Sequence, residues 1–145
     1  MITKKILDIS IPIKPFGKGR PRFSRRSGTT YTPENTRRNE AYVSLYAAKA
    51  MAGKEMTKGP VIVRMTAYFK MPGRNTKAQN NAIRAICMAH DKKPDIDNIF
   101  KGVLDSLNNI VWLDDKQVCS ATIRKRYTDG GARIHVSVIE IAADK

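Results

Sequence analysis

Cysteine is scarce in this chain: Cys87 and Cys119 are the only two in 145 residues. They lie far apart, with no CxxC spacing and no Cys/His cluster, which argues against a zinc module and a disulfide scaffold. Their hydrophobic surroundings predict buried free thiols in a reducing compartment. Long apolar runs are missing as well. Nothing approaches the roughly 18 residues that span a bilayer, and the opening "MITKKILDISIPIKP" has no apolar stretch of the kind a leader carries. The expectation is a soluble, cytoplasmic protein with no membrane association. Acid is the third scarcity. Thirteen Asp and Glu face twenty-seven Lys and Arg, a formal charge of +14 and a pI near 10.1. Such a field draws polyanions, of which nucleic acid is the commonest that a soluble protein meets. A hydrophobic content of 41% argues against wholesale disorder, and the length suits one compact domain over residues 1–145.

The hydrophobic pattern predicts an α+β fold with a mixed or antiparallel sheet and two to three helices. Leu7, Ile9, Ile11 and Ile13 alternate as a strand that ends at Pro15. Thr32 followed by Pro33 reads as a helix start. That helix runs to about Ala52, with Ala41, Leu45 and Ala48 on its apolar face and Gly53 as its stop. Val61, Val63, Met65, Ala67, Phe69 and Met71 form the clearest strand, closed by Pro72 and Gly73. Thr76 to His90 reads as helix, with Ile83, Ile86 and Cys87 inward. Ile99, Val103 and Leu107 mark an amphipathic helix from about Asn98 to Asn109. Ile110–Leu113 is strand-like, and strands follow at Gln117–Tyr127 and through Ile134, Val136 and Val138 after a turn at Asp129–Gly131. The predicted order is strand, helix, strand, helix, helix, strand, strand, strand.

Against this charge balance, "KPDIDNIFKGVLDSLNNIVWLDDKQ" (Lys93–Gln117) gathers Asp95, Asp97, Asp105, Asp114 and Asp115. Asp95 and Asp97 face one side of an extended segment. Asp97 is placed to cap the following helix, with Lys101 one turn further on. A strand returning from that helix brings Asp114 or Asp115 back beside them. Left alone, such carboxylates repel and raise some of their own pKa values; a hard divalent cation resolves the conflict. Each residue also has a plain structural role open to it: Asp97 as a helix cap, Asp114 and Asp115 as turn residues, Asp105 as the surface ion-pair partner of Lys101. The gathering of all of them around one short helix is what favours a metal site.

Between Lys14 and Arg26 there are six cations and no acid: Lys14, Lys18, Arg20, Arg22, Arg25 and Arg26, interleaved with Phe16 and Phe23. Residues 14–32 read as an exposed basic loop or ribbon that lies along phosphates. Lys92, Lys93, Arg124, Lys125 and Arg126 are candidates to extend that surface. His90 reads as a helix-end residue, His135 as a structural residue on a strand, and Trp112 as core.

At these residues the sequence resembles the RusA family of Holliday-junction resolvases. The stretch Lys93–Val118 resembles the family pattern K-P-D-x-D-N, then K, then D-x-L, then W-x-D-D-x-Q. "KGRPRF" (Lys18–Phe23) and "YTP" (Tyr31–Pro33) resemble its N-terminal basic element. The resemblance implies a small homodimeric endonuclease, dependent on Mg2+ (with Mn2+ as a substitute), found in phages and prophages and acting in DNA recombination and repair. It implies paired symmetric nicks in four-way junctions and no small-molecule cofactor. Residue by residue, Asp95 and Asp97 match the acidic pair, Asp115 the third acidic ligand, Lys101 the essential lysine, and Asp114 a neighbouring acid. The choice between Asp114 and Asp115 stays open at this point.

Two other readings use the same residues. Pro94-Asp95 with Asp114-Asp115-Lys116 superficially matches the PD-(D/E)-x-K nuclease signature, with Lys116 as the working lysine. A non-catalytic DNA-binding module, its acidic patch shielding its own basic arm, is the alternative without chemistry.

Overall fold

The computed structural model describes residues 1–19, 22–31 and 34–143. Strand β1 is Ile2–Ile11. A small ribbon of β2 (Arg22–Ser24) and β3 (Thr29–Tyr31) follows, then helix α1 (Glu34–Ala50) and strand β4 (Val61–Lys70). Helices α2 (Lys77–Ala85) and α3 (Ile96–Leu107) lead through a 3-10 turn (Asp115–Gln117) into β5 (Val118–Thr128) and β6 (Arg133–Ala142). The four long strands form one sheet in the order β1-β6-β4-β5. β6 runs antiparallel to β1 and to β4, whereas β5 runs parallel to β4. A parallel neighbour needs a long crossover rather than a tight turn, and the segment between β4 and β5 supplies one that carries both α2 and α3. The α+β class with a mixed sheet is therefore as expected. Among the described residues no helix is long and apolar enough to cross a membrane.

β4 shows why it is central: Val61, Val63, Met65, Ala67 and Phe69 all point into the core, each flanked by a more exposed neighbour. In β1 a register irregularity between Lys5 and Leu7 lets the consecutive Ile6 and Leu7 both reach the core, which plain alternation does not allow. Ile99, Val103 and Leu107 of α3 are fully buried at the expected spacing, and Trp112 is buried with them.

Several expectations are corrected. Helix α1 buries Thr36, Val43 and Ala47, not Ala41, Leu45 and Ala48; Leu45 is half exposed. Thr36 is inside because its Oγ1 accepts the backbone N–H of Gly19 at 3.1 Å, so a polar residue marks the packed face. The proposed start of this helix, Thr32 and Pro33, lies outside the described residues. α2 begins as expected, with a capping box between Thr76 and Gln79, but ends at Ala85. Cys87 and Met88 adopt positive φ of 59° and 62°, which breaks the helix and turns the chain onto β5. Ala89 there bridges to Arg126, His90 N donates to Lys125 O, and Tyr127 N donates to Met88 O. Pairing with a sheet edge outweighs the local helical pattern, leaving Ile86 and Cys87 exposed. Cys119 is exposed too, so neither thiol is buried.

The stretch Ile110–Leu113 is not a strand. Ile110 N and Val111 N both donate back to Leu107 O, Asn109 sits at φ 65°, and Trp112 Nε1 donates to Asn108 Oδ1 at 2.7 Å. The chain reverses around the buried indole. The turn after β5 is not a paired hairpin either, because β4 lies between β5 and β6.

The indole thus holds the turn that carries Asp114 and Asp115. Trp112→Phe removes its hydrogen bond and part of its volume, and the expected cost is roughly 2 kcal/mol. Urea unfolding followed by circular dichroism reads this directly, as a lower midpoint with an unchanged slope.

Candidate active site and DNA-binding surface

Asp95 is the N-cap of α3, the position expected for Asp97, which instead sits in the first turn. The cap is unusual in that the Asp95 side chain makes no capping hydrogen bond. Among the described residues neither carboxylate has a hydrogen-bond or ion-pair partner. Both line a cavity of about 680 Å³ together with His90, Ile96, Arg124 and Arg126. Two free carboxylates at a helix N-terminus are electrostatically tolerated there.

The approach to Asp95 is held by β5. Lys125 Nζ donates to the carbonyl oxygens of Lys92 and of Pro94, the latter at 2.7 Å. Arg126 Nη2 donates to Cys87 O at 3.1 Å. Lys125 is therefore an internal tie and not a free phosphate contact, while Arg124 remains exposed.

Asp114 and Asp115 stand on the 3-10 turn. Asp114 Oδ1 accepts the N–H of Lys116 at 2.8 Å. Gln117 Oε1 accepts the N–H groups of Leu113 and Asp114, and Gln117 Nε2 donates to Thr57 O and Gly59 O, each at 3.0 Å. Gln117 thereby pins the acidic turn to the segment entering β4. It ends the W-x-D-D-x-Q pattern, and that ending was the signal available for it in the sequence. The two carboxyls respond oppositely to being neighbours. The Lys116 N–H, with help from Asp115 and Lys101, holds Asp114 below the usual carboxylate value. Burial, then the hydrogen bond with Asp114, pushes Asp115 above it, against the pull of Lys101. Lys101 thus acts electrostatically on both acids. Its ion pair is with Asp105 at 3.6 Å, and among the described residues it makes none with Asp97.

The four aspartates are not drawn into a closed cage: among the described residues no three His, Cys, Asp or Glu side chains converge closely enough to hold a metal ion. In donor chemistry the set still fits a hard cation. All donors are carboxylate oxygens, Asp95 and Asp97 are unengaged, and Asp115 is a carboxyl whose charged form is disfavoured until positive charge arrives.

Within the basic segment, Arg22–Ser24 and Thr29–Tyr31 pair as an antiparallel ribbon. Arg22, Arg25 and Arg26 are exposed along the β2–β3 hairpin, on which Phe23 and Tyr31 are exposed as well. Arg20 lies outside the described residues. Lys14 is exposed beside a cleft of about 920 Å³. Lys18 departs from expectation: its ammonium bonds Glu40 of α1 and, at 3.0 Å, Asp105 of α3. Burial opposes its charge, but those two partners outweigh burial and raise its pKa. Phe16 is buried against Gly102 rather than offered to DNA.

The sequence family described as endodeoxyribonuclease RusA matches residues 12–139. A Bacillus subtilis (strain 168) protein, the uncharacterized protein YqaN, is 32% identical over 134 residues, which is 90% of this chain and 93% of that protein. The chain belongs to the RusA family of endodeoxyribonucleases. It is accordingly a hydrolase of the Holliday-junction resolvase class, a DNA-binding nuclease of recombination, and nucleases of this family generally depend on a divalent metal.

His90 caps no helix. Its ring stacks on Phe69 at 3.7 Å between centroids and leans on Tyr127. Burial, reinforced by Lys125, lowers its pKa from 6.5 to about 4. His135 pairs its Nε2 with Asp8 Oδ1 at 2.6 Å, across β1 and β6. Because folded His90 stays neutral, the unfolded chain binds the extra proton as pH falls through 6.5. Its contribution to stability is complete at neutral pH and is lost progressively as pH drops toward 4. Thermal melting followed across that window is expected to fall more steeply for the wild type than for His90→Gln.

Proposed function

We propose that this protein resolves four-way DNA junctions by paired symmetric nicks, hydrolysing phosphodiesters with magnesium held by Asp95, Asp97 and Asp115. The observation that carries this reading is the pair of unengaged carboxylates at the start of α3, within a family-matched chain of charge +14. Asp114 already spends one oxygen on the Lys116 N–H, which favours Asp115 as the third ligand and Asp114 as the residue that shapes the turn. Asp95, Asp97 and Asp115 would hold the magnesium, whose charge would stabilise the phosphoryl group and help to activate water. Lys101, exposed beside Asp114 and Asp115, places positive charge where the transition state gathers negative charge. Arg22, Arg25 and Arg26 on the ribbon grip phosphates without reading sequence, with Arg20 just before them in the chain. A homodimer supplies two such sites. Two cuts related by a two-fold axis match the approximate symmetry of an open junction.

The test is strand-resolved cleavage of a synthetic four-way junction and of linear duplex, with magnesium. Symmetric nicks confined to the junction are expected. Asp97→Asn should slow them by more than about 100-fold, the scale of lost charge stabilisation at such a centre, while junction binding persists. Lys101→Met should be as damaging, whereas Lys116→Met should cut normally. Equal cutting of linear duplex overturns junction selectivity; cutting by Asp97→Asn at the wild-type rate overturns the site.

The ribbon generates a separate expectation. Replacing Arg25 and Arg26 with Gln removes two phosphate contacts and should flatten the slope of log affinity against log salt by roughly 2. Fluorescence anisotropy of a labelled junction at several salt concentrations measures it.

A further inference from the structure

Asp105 stands one turn beyond Lys101 on α3, and its two oxygens serve two different lysines. Oδ1 faces Lys101 Nζ at 3.6 Å, and Oδ2 bonds Lys18 Nζ at 3.0 Å. Lys18 also bonds Glu40, so ion pairs run from α1, through the root of the basic ribbon, to the lysine beside Asp114 and Asp115. The root is anchored independently of these charges. Lys18 N donates to Asn98 O at 3.0 Å, Gly19 N donates to Thr36 Oγ1, and Gly17 lies close against Pro94 and Asn98.

The lysines at the two ends of Asp105 differ in freedom. The side chain of Lys18 is only 24% exposed, that of Asp105 only 21%, and that of Lys101 60%. Lys18 is fixed, Asp105 is fixed by Lys18, and Lys101 is held by the one oxygen that Lys18 leaves over. A flexible four-carbon stem with an exposed ammonium has many rotamers open to it. Asp105 narrows them. Because Lys18 already neutralises part of the Asp105 charge, its hold on Lys101 is loose, and the ammonium stays available to the acids of the 3-10 turn.

We infer that Asp105 is a positioning residue for cleavage, setting where the Lys101 ammonium stands, and that Lys18 couples the seating of the DNA-binding ribbon to that position. The inference rests on Lys101 acting in cleavage, as proposed above. Loss of Lys18 leaves the full Asp105 charge facing Lys101 and draws its ammonium away from Asp114 and Asp115. Loss of Asp105 releases Lys101 altogether.

The experiment is a double-mutant cycle of Lys18→Met and Asp105→Asn. It reads single-turnover cleavage of saturating four-way junction, junction affinity by anisotropy, and melting temperature. Asp105→Asn is expected to slow cleavage about 10-fold, inside the range that a misplaced catalytic group costs, with affinity changed less than about 2-fold. Asp105→Glu should recover part of the rate. Lys18→Met should slow cleavage in the wild-type background and have no further effect on rate in the Asp105→Asn background. A purely structural ion network lowers melting temperature without this separation of rate from affinity. Wild-type rates for bound Asp105→Asn, or independent multiplication of the two effects, overturn the inference. If Asp105→Asn does not fold, Lys18→Met decides alone: a slower rate at unchanged affinity supports the coupling, and an unchanged rate refutes it. Normal cutting by Lys101→Met refutes the proposed use of Lys101 itself, a result distinguishable from all of these.

Discussion

The ammonium of Lys125 joins two carbonyls, those of Lys92 and Pro94, to the edge strand β5, and the acidic end of α3 depends on that joint. It extends the hold of β5 to residues 92–94, beyond the last backbone bond at His90, on a segment that begins with Cys87 and Met88 in a conformation most side chains avoid. Around it the lacing is mostly backbone: His90 N to Lys125 O, Tyr127 N to Met88 O, with Arg126 closing on Cys87 O. A sheet edge would otherwise present unpaired N–H and C=O groups. Here part of that edge is covered by the strip of chain that delivers Asp95. One cation, by working inside the protein, fixes where two anions stand outside it.

That division of labour applies to the charge as a whole. The positive excess is not one uniform coat. Lys18 and Lys125 are committed to internal partners, whereas Arg22, Arg25 and Arg26 carry no ion pair among the described residues. Arginine on the exposed ribbon and lysine in the joints suits their chemistry, because a guanidinium matches phosphate with a rigid fork and an ammonium is a compact point charge. Exposed ion pairs contribute little to stability; the Lys18 junction is instead largely enclosed, and it fixes the ribbon root against α1 and α3.

Legibility in the sequence follows the range of the interaction. β4 and the buried face of α3 were readable because alternation at Val61–Phe69 and the spacing of Ile99, Val103 and Leu107 are local patterns that burial respects. The face of α1 was misread because alanine is indifferent to burial, and the decisive residue, Thr36, is polar and buried only through Gly19. Ile110–Leu113 looked like a strand from its β-branched and aromatic content, but the indole of Trp112 needed a hydrogen-bond partner and found it in Asn108, which closes a turn instead. The candidate acids and Lys101 were legible as residues, since their crowding contrasts with the rest of the chain. Their partners were not. Nothing local to Lys18 shows that it will meet Glu40 and Asp105, and inside a run of cations it reads as a phosphate contact.

The same long-range contacts explain why the acids form two stations instead of one cage. Asp95 and Asp97 are placed by β5 through Lys125 and the 87–94 segment, whereas Asp114 and Asp115 are placed by Gln117 through Thr57 and Gly59 at the entrance to β4. Two carboxylate pairs on independent supports avoid the repulsion that one rigid cluster would store. Lys101 and Asp105 lie one turn apart on α3, the one lowering the charge cost of Asp115 and the other tied to the ribbon root. In this arrangement α3 runs from Asp95 and Asp97 at its start to the turn held by Trp112 beyond its end, and the ribbon root is tied to its side through Lys18 and Asp105.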